Sequence, residues 1–71
     1  MTWYAFIREI SDGFEVVVRQ HYHKAYYADS KHHRFVHAYD RAVEIESGSE
    51  PNVSGEAVDV AYGELRPTKG D

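Results

Sequence analysis

Residues 2–22, TWYAFIREISDGFEVVVRQHY, decide how the chain folds. The stretch 2–10 is rich in aromatics and Ile and alternates in part, which reads as a strand. Ser11-Asp12-Gly13 is turn chemistry, with Gly13 able to take positive φ. Residues 14–22 follow as a second strand, β-branched at Val16, Val17 and Val18. Together they predict an antiparallel hairpin. Phe14, Val16 and Val18 share one face of strand two and suit a core. Glu15, Val17, Arg19, His21 and His23 share the other. Trp3, Ala5 and Ile7 would join the core face, leaving Tyr4, Phe6 and Arg8 opposite. Both faces of strand one are apolar, so the reverse assignment is also open.

Working outward, residues 23–28 (HKAYYA) are expected to continue the sheet as a third strand. Asp29-Ser30 then offers a helix N-cap. From Lys31 to Ser47 the period becomes helical, with Phe35, Tyr39, Ala42 and Val43 expected to be buried. Gly48 is a natural C-terminal stop. Residues 49–52 read as a loop. Residues 56–62 (EAVDVAY) alternate and suggest a short last strand, and Arg66–Asp71 suggests a frayed terminus. The expected fold is α+β: an antiparallel sheet of three to four strands with one amphipathic helix on one face, in the order strand-strand-strand-helix-strand. The whole chain, 1–71, is expected to be one domain, with a body over 2–48 and an acidic loop, short strand and terminus over 49–71.

Charge divides the chain the same way. Residues 1–41 hold six Lys/Arg against five acids, and residues 42–71 hold two against seven, for a net charge of −4. A domain of 71 residues buries only roughly 60–65% of its unfolded surface, which makes an enclosed active site hard to build. With no cysteine, disulfides and thiolate metal sites are excluded. Nothing resembles a signal peptide, and no run of about 18 apolar residues exists. A cytoplasmic protein without a membrane partner is expected.

Enzyme chemistry finds little footing. The serines at 11, 30, 47, 49 and 54 fall in caps and loops, Glu44 and Glu46 point to different helix faces, and no Gly-rich phosphate loop is present. No catalytic residue and no cofactor are expected. The five histidines fall between His21 and His37. His21-x-His23 has strand spacing and His33-x-x-x-His37 has helix spacing, so either pair could chelate an ion. At ~100° per residue His33, His37, Asp40 and Glu44 form a solvent stripe opposite Phe35. The strand pair lies on the far side of the molecule, so the two pairs cannot share an ion. No metal site is expected.

Two surfaces remain as candidates. The sheet face away from the helix would carry Tyr4, Phe6, Arg8, Arg19, His21 and His23. Aromatic, Arg and His groups on a flat sheet suit protein interfaces and base stacking alike. The acidic end offers Glu50, Glu56, Asp59 and Glu64. These are solubility charge on a solvated edge, or carboxylates that imitate a phosphate backbone and occupy a basic nucleic-acid site on another protein.

GFEVVVR (13–19), Tyr27-Ala28-Asp29-Ser30 and AYDRAV (38–43) resemble the second strand, the end of the third strand and the helix motif of one family. It is the DNA-binding domain of plant ethylene-response factors, with relatives in phage and mobile-element integrases and endonucleases. The likeness covers about Trp3 to Ser47. It implies three antiparallel strands with a helix across them, and places Arg8 and Arg19 as sheet arginines facing the DNA major groove. Phe14 stands where the family has Trp, strand one carries a single Arg, and the charge is not that of a phosphate binder. Size, acidity and a sheet-plus-helix form are also similar to small phage counter-defence proteins, including anti-CRISPR inhibitors. The expected function is therefore a non-enzymatic inhibitor that occludes a surface of a nucleic-acid-processing complex. The partner expected is a protein or nucleoprotein more than free nucleic acid. The alternative is a small DNA-binding domain using its sheet face. Oligomeric state is not legible.

Overall fold

A computed structural model of the chain describes residues 2–53, 56–60, 63 and 65–67. The elements run β1 (Trp3–Ile10), β2 (Gly13–Gln20), β3 (Tyr26–His32), α1 (Phe35–Glu46) and β4 (Leu65–Pro67). The strands form one antiparallel sheet in the order β3-β2-β1-β4, and α1 packs on it, mostly over β1 and β2.

The hairpin forms as the sequence predicts. Ile10 pairs with Gly13 across a two-residue loop, and Ala5, Ile7 oppose Val18, Val16. Gly13 has a φ of +143°, and a Cβ there would meet the His32 carbonyl and lie 2.9 Å from His33 Cα. Only glycine fits, which lets β3 end tightly against the hairpin.

Ala5, Ile7, Val16 and Val18 face Ala38, Ala42 and Ile45 of α1 in a closed core, with Trp3, Phe14 and Tyr27 packed around it. Val17 points away from the helix yet is also fully buried, beside its cross-strand partners Phe6 and Ala28.

Four expectations are corrected. First, β2 ends at Gln20 and β3 begins at Tyr26, so residues 21–25 form a loop and not a continuing strand. Second, Asp29 and Ser30 do not cap the helix. β3 runs on to His32, because Ser30, Lys31 and His32 pair with Val16, Glu15 and Phe14. Sheet pairing overrides the local capping signal, and α1 starts at Phe35 with Arg34 as an N-cap that makes no side-chain bond.

Third, the buried stripe of α1 is Ala38, Ala42 and Ile45, whereas Phe35, Tyr39 and Val43 lie on its shoulder. Alanines four residues apart let the helix approach the sheet closely, and the larger side chains are turned outward. Fourth, the expected strand over 56–62 reduces, among the described residues, to a bridge between Val58 and Tyr26. Tyr62 lies outside the described residues. The fourth strand is instead Leu65–Pro67, whose Arg66 and Pro67 fall where a frayed end was expected, paired with Phe6–Arg8. Pro67 is tolerated because β4 is an edge. The chain thus touches the β3 edge at Val58 and the opposite edge of the sheet at Leu65.

α1 ends as its sequence predicts. Gly48 has a φ of +119°. Its N–H donates to the Ile45 carbonyl at 3.0 Å, and the Ser49 N–H donates to the Glu44 carbonyl at 3.0 Å. That is a Schellman closure, which satisfies carbonyls the helix leaves over.

Candidate interaction surface

Register assembles the sheet face opposite α1. Tyr4 opposes Arg19, Phe6 opposes Val17, Arg8 opposes Glu15, and Tyr26 of β3 opposes Arg19 from the other side. Tyr4, Phe6, Arg8 and Arg19 therefore share one face, and all four are half-buried.

Each arginine of this face is engaged within the fold. Arg8 pairs with the buried Glu15 carboxylate. Arg19 lies between the Tyr4 and Tyr26 rings, with its guanidinium carbon 5.2 Å and 5.9 Å from their centroids. Its Nη1 donates to the carbonyls of Gln20 (3.4 Å), His21 (3.4 Å) and His23 (3.0 Å). A planar guanidinium with several donors suits this task of tying down a loop while stacking on aromatics. The Phe6 and Tyr26 rings meet edge to face at 5.8 Å.

His21 and His23 sit in the loop after β2 and are exposed, so they are not the same-face strand pair that their spacing predicts. His21 hydrogen-bonds to the Tyr4 hydroxyl, and its ring packs against that of Tyr22 at 4.2 Å. His23 contributes its carbonyl to Arg19. The helical pair also dissolves. His33 precedes α1 and its Nδ1 contacts the Asp12 carbonyl at 3.2 Å, while His37 lies exposed on the helix. Among the described residues no group of three or more His, Asp or Glu gathers to hold a metal ion.

The acidic candidates lie apart from this face in sequence. Glu50, Glu56 and Asp59 are exposed, and Glu64 lies outside the described residues. The Glu50 carbonyl accepts a hydrogen bond from Arg41 at 3.1 Å.

Sequence reasoning missed a buried ionic junction. β3 carries a bulge: Val16 opposes Ser30 but Val17 opposes Ala28, so Asp29 is the extra residue. The bulge turns the Asp29 carboxylate toward α1, where it is fully enclosed. It accepts from Arg41 Nε (2.8 Å) and Nη2 (3.0 Å), from Ser30 Oγ (2.8 Å) and from the Asn52 N–H (2.6 Å). Burial alone would raise its pKa. The donors, Arg41 foremost, outweigh that and hold it below the ordinary carboxylate value. No spacing rule in one sequence joins residues 29, 41 and 52. The junction ties β3, α1 and the acidic segment together, and so positions Glu50.

No family model matches the chain, and no curated protein or solved structure matches it significantly. Among the described residues no helix is long and apolar enough to cross a membrane.

Proposed function

We propose that the protein is a non-enzymatic binding protein that occludes a basic surface of a nucleic-acid-processing complex, in the manner of phage counter-defence inhibitors. Its site of action in this reading is the host cytoplasm. One observation carries it. Arg8 and Arg19, the side chains a DNA-reading sheet would present to phosphates, are each held within the fold, by Glu15 and by the loop carbonyls. The carboxylates of Glu50, Glu56 and Asp59 are exposed instead. Exposed negative charge favours a positively charged partner surface and disfavours duplex DNA.

The test has two arms. In the first, the protein is titrated against duplex DNA at about 50 mM and about 200 mM salt. No saturable binding is expected. Micromolar binding that weakens steeply with salt would overturn the proposal in favour of a DNA-binding domain using Tyr4, Phe6 and Tyr26. In the second, phage plating is measured on a CRISPR-defended host. Expression of the protein is expected to restore plating, and Glu56→Lys with Asp59→Lys to abolish that effect.

A further inference from the structure

Residues 21–25 leave the sheet yet are held in one shape from within the fold. The His21 N–H donates to the Thr2 carbonyl at 3.2 Å, and the His23 N–H closes a turn on the Gln20 carbonyl at 3.0 Å. Arg19 holds the carbonyls of Gln20, His21 and His23. At the tip of this turn Tyr22 is 91% exposed. Its ring meets the His21 ring edge to face at 4.2 Å, and His21 is in turn anchored by the Tyr4 hydroxyl. An aromatic ring offered on a backbone that is already fixed loses little freedom on binding.

Beside the ring lies a hollow of ≈350 Å³, lined by Thr2, Gln20, His21, Tyr22 and His23. Ligand sites run from about 300 Å³ upward, so this one suits a single planar ring system. One wall is aromatic, and the others carry a hydroxyl, an amide and two imidazoles, groups that donate and accept hydrogen bonds. The charge around it is of one sign. No acid occurs between Glu15 and Asp29, and each of those is buried and paired with an arginine. Arg19 and the exposed Lys24 stand on either side of the turn in sequence. Asp59 adjoins Val58, which bridges to Tyr26, but it does not line the hollow.

We infer that this hollow binds an unpaired nucleobase, so that the loop engages single-stranded nucleic acid. The base stacks on Tyr22, its edge meets the polar groups of the lining, and Lys24 meets the adjoining phosphate. An aromatic platform beside a cation holds single strands without reading their sequence. An acidic peptide would satisfy Lys24 but leave the Tyr22 ring without a stacking partner. A base in a duplex is already stacked on its neighbours and closed to such a hollow. The inference is therefore independent of the function proposed above, whose test uses duplex DNA.

Fluorescence anisotropy of a labelled oligo(dT) of about eight nucleotides tests it. The full chain is titrated to about 1 mM at about 50 mM salt, and saturable binding is expected. Tyr22→Ala should raise the dissociation constant at least about fivefold. Tyr22→Trp should leave it unchanged or lower it, because the ring and not the hydroxyl carries the contact. The Tyr22 side chain is almost wholly exposed, so neither change disturbs the fold. Lys24→Glu should weaken binding, and Lys31→Glu, at the opposite end of the sheet, should weaken it less. Polyglutamate should fail to displace the oligonucleotide. The inference is overturned by absence of saturable binding, by an unchanged constant in Tyr22→Ala, or by equal losses from the two lysine variants. Displacement by polyglutamate also overturns it, and would assign the loop to an acidic peptide.

Discussion

The Asp29 carboxylate takes two hydrogen bonds from the Arg41 guanidinium, at 2.8 and 3.0 Å, across the interface between β3 and α1. The side chain is fully enclosed, and it also receives Ser30 and the Asn52 N–H. Removing it takes the carboxylate acceptor from four donor atoms on three residues. Asp29→Ala is expected to destabilise the fold by roughly 3–5 kcal/mol, as for other buried pairs broken on one side. Urea unfolding, read as a lowered midpoint at unchanged slope, measures this.

The same carboxylate sets an acid limit. Its folded pKa lies below its unfolded value of 3.8. A depressed carboxylate stabilises the fold fully above the unfolded pKa, and that contribution is lost as pH falls through the folded value. Urea midpoints of the wild type should therefore fall as pH drops below about 4. Asp29→Asn should lose the part of that slope which Asp29 supplies. A variant with an unchanged acid profile would show that other carboxylates carry it.

Arg19 makes a second test. Its contacts to three carbonyls and two tyrosine rings need a planar fork. Arg19→Lys keeps the charge but not the geometry. It should cost about 1–3 kcal/mol and speed amide hydrogen exchange over residues 21–25. If lysine substitutes without effect, the loop is held by something else.

The two positive-φ glycines among the described residues, Gly13 and Gly48, should respond unequally. A Cβ on Gly13 collides with the His32 backbone, while one on Gly48 meets nothing within 4 Å. Gly48→Ala should therefore cost about 1 kcal/mol, from backbone conformation alone. Gly13→Ala should cost more, because β3 must also move. Thermal melts compare them directly.

At the start of α1, Arg34 occupies the N-cap without making a cap bond. Arg34→Asp supplies an acceptor for an unpaired N–H and a charge that suits the dipole. A gain of about 0.5–1.5 kcal/mol is expected, seen as a rise in Tm of a few degrees.

Much of the fold was legible because it follows periods. Alternation assigned the core face of β2 correctly; for β1 it left both faces open, and Ala5 and Ile7 are the pair the helix covers. Gly48 marked the helix end. What failed involved distant partners. Asp29-Ser30 looks like a cap in isolation, but the pairing of Ser30 and His32 with β2 makes it strand. Phe35 and Tyr39 looked like core by hydrophobicity, but the sheet accepted the small Ala38 and Ala42. Leu65–Pro67 is too short to show any period. The surface was read in outline: Tyr4, Phe6, Arg8 and Arg19 do share a face. That their charged ends would be engaged by Glu15 and by loop carbonyls depends on register and loop path, which composition does not encode.

The contact of the chain with both sheet edges has a kinetic consequence. β1, β2, β3 and α1 each meet an element near them in sequence, so they can assemble through short loop closures. β4 reaches β1 only by bringing Leu65 back to Arg8, and loop-closure entropy disfavours that step until the rest is in place. Three residues of pairing then secure the edge of β1. The β4–β1 ladder should form last and open first, so native-state hydrogen exchange at Leu65 and Arg66 should report a local opening well below the global unfolding free energy.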